Sequence, residues 1–193
     1  MRPVSIQDIT GLSRYEATRD DFRRRIIDLK RARRVGVGDR ITFVFENFDT
    51  VLFQIQEMLR AEHISDLDKV REEIDVYNEL IPGEGELSAT MLIEITEQER
   101  VRPELVRLIG IDKCVWLEID GRRIAAVFEG GRSKDDNLSA VQYVRFALDE
   151  GARAAFAQSE VPVRLVIDHE NYRAGTPIEG AVRESLKGDL AAA

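Results

Sequence analysis

Tyr77-Asn78-Glu79-Leu80-Ile81-Pro82-Gly83-Glu84-Gly85-Glu86-Leu87-Ser88-Ala89-Thr90-Met91-Leu92-Ile93-Glu94-Ile95 holds the change of period that decides the fold class. Before Pro82 the apolar residues recur at helical spacing. Leu67, Val70, Ile74, Tyr77 and Leu80 share one face of a helix that Ser65 or Asp66 is placed to cap. Pro82 and the two glycines stop it, since proline lacks the donor and the freedom that a helix interior needs. After Gly85 the spacing becomes two, with Ala89, Met91, Ile93 and Ile95 on one side, as a half-buried strand requires.

Upstream the helical reading extends. Asp49 or Thr50 caps a helix with Val51, Leu52, Ile55, Met58 and Leu59 on its buried side, and this helix and the next form an αα-hairpin over 49–81. Residues 20–34 carry a Phe22, Ile26, Leu29 stripe, with Asp20 and Asp21 at the expected start and Gly36 and Gly38 as the stop. Between them Ile41-Thr42-Phe43-Val44-Phe45-Glu46 reads as a strand.

Downstream, period-2 alternation recurs over 88–95, 114–119, 123–129, 140–148 and 162–168, and Asp120-Gly121 marks a two-residue hairpin turn. Short helices are expected over 102–109, 149–158 and 178–187, and a mobile loop over 130–138. Helices first and antiparallel strands later predict an α+β fold: a mostly antiparallel sheet of about five to six strands, with an N-terminal helix and a helical hairpin packed on it. One compact domain over 1–190 is the simplest organisation, with a helical part to about residue 83 and a strand-rich part beyond.

Composition narrows the function. The chain has 193 residues, 28 Lys and Arg against 36 Asp and Glu, a net charge of −8 and one cysteine. A single cysteine excludes a disulfide framework and an iron–sulfur cluster held by one chain. The acidic balance argues against general affinity for nucleic acid or anionic membrane. Residues 1–40 nevertheless hold 11 basic and 6 acidic side chains, and seven of those cations lie between Arg23 and Arg34. A solvated face paired with the acidic body, a protein partner, or a polyanion all fit that run. No signal core or membrane-length apolar stretch is present, so the expected location is cytoplasmic.

Catalytic motifs are missing. Gly36-x-Gly38 follows a helix and precedes a strand, the reverse of a dinucleotide fold, and Ile41 stands where a third glycine belongs. There is no P-loop, no Gly-x-Ser-x-Gly elbow and no His-Glu-x-x-His. Cys114 opens a strand as a small buried hydrophobe. His63 suits a helix C-terminus. His169 follows a strand in Asp168-His169-Glu170-Asn171-Tyr172, where it either stabilises a turn or acts as a ligand or acid/base group.

A polar cluster supplies the candidate binding residues. Glu46, Asn47 and Asp49 lead into Gln54, Glu57 and Arg60, which lie about a turn apart and could edge a groove. Tyr77 and Asn78 close the third helix. Tyr143 and Arg145 share a strand face, where Arg145 serves either a core-adjacent salt bridge or an anion. Capping, turn chemistry and a surface Glu57–Arg60 pair are the structural alternatives. No metal site is predicted, and no cofactor can be named.

The motifs Phe45-Glu46-Asn47-x-Asp49-Thr50, Gln54-Ile55-Gln56-Glu57-Met58-Leu59-Arg60, Tyr77-Asn78-x-Leu80-x-Pro82-Gly83, Glu86-Leu87-Ser88-Ala89-Thr90, Ser139-Ala140-Val141-Gln142-Tyr143-Val144-Arg145-Phe146 and Asp168-His169 together resemble the uncharacterised bacterial domain-of-unknown-function family 3501, over about residues 1–190. Members of that family are often encoded beside a rubrerythrin-like protein and an iron–sulfur oxidoreductase. The resemblance implies a non-catalytic accessory or partner role in such a redox or oxidative-stress system, the redox centres belonging to the neighbours. The alternative is a small-molecule or metal-dependent enzyme built on carboxylates and His169.

Overall fold

The computed structural model describes residues 1–130, 133–134 and 137–191. The elements run α1 (Leu12–Arg31), β1 (Arg34–Val37), β2 (Ile41–Phe45), α2 (Phe48–Ala61), α3 (Leu67–Asn78), β3 (Glu86–Ile93), α4 (Val101–Arg107), β4 (Val115–Ile119), β5 (Arg122–Ala125), β6 (Val127–Phe128), β7 (Ser133–Lys134), β8 (Asn137–Leu138), β9 (Val141–Ala147), α5 (Glu150–Ala157), β10 (Val163–His169), β11 (Tyr172–Pro177) and α6 (Gly180–Ala191). This is the expected α+β class, with its N-terminal helix and helical hairpin. The principal strands divide into two antiparallel sheets, ordered β1-β2-β3-β9-β6 and β11-β10-β4-β5, with β7 and β8 paired separately. Part of the 130–138 segment expected to be mobile lies outside the described residues.

The sheets meet through the faces that the alternation marks. Ile41, Phe43 and Phe45 of β2, Leu87, Ala89 and Met91 of β3, and Val144 and Phe146 of β9 share one core with Val115, Leu117 and Ile119 of β4 and Val163, Leu165 and Ile167 of β10. Chain from 122 to 128 serves both layers: β5 pairs with β4 in one sheet and β6 with β9 in the other. Asp120 and Gly121 both take positive φ, 50° and 77°, the conformation of the expected two-residue turn.

Two strands depart from the expectation. Gly36 falls within β1 instead of ending a helix, because Val35 and Val37 alternate into the core. Gly38 (φ +73°) makes the following turn, where a Cβ would collide with the Tyr172 hydroxyl. That hydroxyl donates to the Val37 carbonyl at 2.6 Å, and Thr176 Oγ1 donates to the Gly36 carbonyl at 2.7 Å. These bonds tie β11, which the alternation did not mark, to the edge of the other sheet. Helix α1 begins at Leu12, eight residues before the expected start.

A second, smaller core lies on the other face of the five-stranded sheet. It joins Val51, Ile55 and Leu59 of α2 to Val70 and Ile74 of α3 and to Val4, and Tyr143 of β9 packs against it. On that outer face Val44 stands opposite Thr90, Thr90 opposite Tyr143, and Ser88 opposite Arg145. The candidate residues must be sought where this face meets the helical hairpin.

The end of α6 is anchored by a buried ion pair. Arg33, 1% exposed, bonds Asp189, donates to the carbonyls of Phe45 and Glu46 at 2.8 and 2.9 Å, and reaches Ser185 Oγ at 2.9 Å.

Candidate functional site

Glu46 follows the last residue of β2 and projects to the outer face, 2% exposed. Its carboxylate accepts from Thr50 Oγ1 (2.5 Å) and Gln54 Nε2 (3.1 Å) on α2 and from Thr90 Oγ1 (2.6 Å) on β3. Three neutral donors satisfy a buried carboxylate, as its burial demands. The group thereby fixes the start of α2 to the sheet, and Gln54 points at it instead of edging a groove.

Asn47 caps α2, two residues before the earlier of the expected caps. Its extended backbone lets its side-chain oxygen accept from Thr50 N (3.0 Å), and its own N–H donates to Thr50 Oγ1 at 2.9 Å. Asp49 is left on the surface, 3.4 Å from Arg25. Asn78 closes a pair of hydrogen bonds with the backbone of Val4, at 2.8 and 2.9 Å, which holds the N-terminal segment against α3.

Glu57 faces α1. Arg19 grips its carboxylate through Nε (2.8 Å) and Nη2 (2.7 Å), and the Tyr15 hydroxyl donates at 2.8 Å. The Arg19 hydrogen bonds hold the Glu57 carboxyl down at about 2, against the opposing effect of burial. Burial pushes the Tyr15 hydroxyl well above its ordinary value, and Glu57 adds to it. The expected Glu57–Arg60 contact exists at 3.6 Å but is secondary to the Arg19 pair.

His169 stands on the other sheet, 5% exposed. Asn171 N donates to its Nδ1 (3.2 Å), so Nε2 carries the proton that it shares with the Ile109 carbonyl at 3.0 Å. Asp168 points away toward Arg123 and Arg173. The ring staples the turn after β10 to the segment after α4, and among the described residues it has no tie to the Glu46 and Glu57 clusters. Cys114 is partly buried ahead of β4, and burial pushes its thiol up.

Five of the seven cations of the basic run have carboxylate partners. Arg33 is buried, whereas Arg24, Arg25, Arg31 and Arg34 pair with Asp21, Asp49, Asp28 and Glu94. Among the described residues no group of three or more His, Cys, Asp and Glu side chains is disposed to hold a metal ion, and no helix is long and apolar enough to cross a membrane.

The remaining candidates, Tyr77, Tyr143 and Arg145, come together. They line a groove of about 480 Å³ between α3 and the outer face of the five-stranded sheet, closed at one side by β6. Met58 reaches it from α2, Val76 and Leu80 from α3 and its end, and Val127 and Phe128 from β6. Its volume falls within the range of ligand and side-chain pockets. Arg145 is held at one wall: Nη1 donates to Glu86 Oε2 (2.8 Å) and to the Ile81 carbonyl (3.2 Å), and Nη2 bonds the Glu79 carbonyl. The core-adjacent salt bridge is therefore the arrangement found, and Glu86 offsets its charge. Burial raises the Tyr77 hydroxyl, with Tyr143 and then Glu73 acting in the same direction.

Val76 and Val127, 63% and 62% exposed, were passed over by periodicity. Val76 lies beside the buried stripe of α3, and Val127 follows the point at which the chain changes sheets. Their exposure in one groove is visible only once α3 and β6 are side by side.

The family model described as Protein of unknown function (DUF3501) matches residues 3–190. A crystal structure of a novel protein of unknown function from Burkholderia pseudomallei is similar, with a TM-score of 0.92, 31% sequence identity, and coverage of 98% of this chain and 100% of that chain. No curated protein matches the chain.

Proposed function

The chain belongs to the family of proteins of unknown function DUF3501, and from that premise we propose that it is a non-catalytic accessory protein of the cytoplasm that works by holding a partner in the groove between α3 and β6. One observation carries this reading. The titratable candidates Glu46, Glu57 and His169 are each engaged in joining elements of the fold, whereas Val76 and Val127 leave large apolar side chains open to solvent at a concave surface. Single exposed apolar residues are ordinary, but two meeting in one groove make a patch of the kind used for association.

The partners to test are those that the family resemblance implies, a rubrerythrin-like protein and an iron–sulfur oxidoreductase, which would carry the redox centres. An enzyme built on carboxylates and His169 draws less support, because Glu57 and His169 serve separate structural contacts. The test is native mass spectrometry of the purified chain mixed with each purified partner. A stoichiometric complex is expected with one of them, lost in Val76→Asp and in Val127→Asp. Absence of any complex, or a complex indifferent to both substitutions, would refute the proposal.

A further inference from the structure

We propose that the groove selects a basic side chain carried within an apolar segment of the protein partner, a choice that rests on the docking reading above. The apolar body would lie against Met58, Val76 and Phe128, and the cation would sit at a rim that Glu73 and Glu79 make acidic. Among the described residues Glu73 and Glu79 form no salt bridge. Arg145, the lining cation, is already opposed by Glu86, so the lining carries an excess of negative charge.

A separate feature points into the same space. Ser88 is 3% exposed and lines the groove, yet among the described residues its hydroxyl makes no hydrogen bond. Among the described residues the fully buried side-chain polar atoms without a partner are Arg60 Nε and Arg153 Nε, so the Ser88 oxygen opens toward the groove. An ammonium is a donor with no acceptor, and it complements the Ser88 and Tyr77 hydroxyl oxygens, the rim carboxylates and the aromatic rings of Tyr77 and Phe128. An acidic segment would meet the carboxylates as like charge.

The test titrates the full chain, observed by NMR, with three probes of nearly one shape: para-propylbenzylammonium, para-propylbenzyl alcohol and para-propylbenzoate. The ammonium should bind about tenfold more tightly than the alcohol, as one partly screened ion pair plus a cation–π contact would give, and the benzoate should be weakest. Shifts should centre on Val76, Tyr77 and Val127. The double variant Glu73→Gln, Glu79→Gln should cut the ammonium's advantage to the few-fold that the cation–π contact supplies. Equal binding of ammonium and alcohol to the unaltered chain, or no binding of the ammonium, would overturn the charge selectivity and leave the partner complex as a separate question. A partner complex that ignores Val76→Asp would instead remove the docking reading, whatever the probes prefer.

Discussion

Asp189→Ala should be among the most damaging single changes in the protein, although it lies near the end of the last helix. Arg33 and Asp189 are 1% and 8% exposed, and burial pushes the Asp189 carboxyl up while Arg33 opposes the shift. Removing the carboxylate leaves a guanidinium that keeps its charge in a dry site, and breaking such a pair costs about 3–5 kcal/mol. Arg33→Met should cost less, about 2–4 kcal/mol. It takes a donor from the carbonyls of Phe45 and Glu46, at about 1–3 kcal/mol for each carbonyl left unsatisfied, but the remaining Asp189 can take up a proton. The double variant should then be no less stable than Asp189→Ala alone, a coupling at least equal to the Arg33→Met loss of about 2–4 kcal/mol. Urea denaturation followed by far-UV circular dichroism measures all four corners, provided that the slopes agree. An Asp189→Ala loss below about 1 kcal/mol, or losses that simply add, would show that the end of α6 does not hold the pair out of water.

Two further predictions concern groups that a functional reading would have selected. The depressed Glu57 carboxyl favours the ionised form in the fold, so its contribution is present above the ordinary value of 4.5 and is lost as pH falls toward about 2. Glu57→Gln should remove about 2 kcal/mol of acid-sensitive stability after allowance for solvent screening, read as a flatter stability profile in urea titrations between those pH values. His169→Ala should lose about 2–4 kcal/mol, from two hydrogen bonds and the cavity left in a buried site, while the NMR response of the groove to the ammonium probe stays unchanged. A loss of probe binding without a loss of stability would return His169 to the functional site.

How far this was legible from residues alone depends on the kind of signal. Burial is periodic, so α2, α3, β2, β3, β4 and β9 declare themselves through stripes and alternation. Pairing is not. Nothing in the alternation of 123–129 says that the chain leaves one sheet at Ala125 and joins another at Val127, so two sheets read as one. Glycine misled at β1, where Gly36 and Gly38 resembled a helix stop because the Val35, Val37 pair is too short to register as a strand. In β11, Gly175 and Pro177 obscured a strand whose anchor is the Tyr172 hydroxyl reaching the opposite sheet. The first half of α1 buries only Tyr15, so it carries no stripe and its start was placed late.

The site is a harder case, because the residues that attract notice in a sequence are polar, and here most polar candidates are structural. Glu46, Asn47 and Asn78 stand out in the sequence for a reason that the hydrogen bonds make plain: Glu46 and Asn78 join segments that apolar packing alone would leave free to slide, and Asn47 caps α2. A buried polar group with all its partners specifies one arrangement of the core, and the same residues in a string look like a binding cluster. The opposite holds for Val76 and Val127. They sit off the stripes, where a hydropathy pattern treats them as noise, and exposed apolar residues elsewhere, such as Ile27 and Val106, are noise in that sense. What separates the two cases is company. Val76 and Val127 line one groove with the Ser88 hydroxyl and with Glu73 and Glu79, which form no salt bridge among the described residues, and that conjunction is created by the approach of α3 to β6, not by either segment.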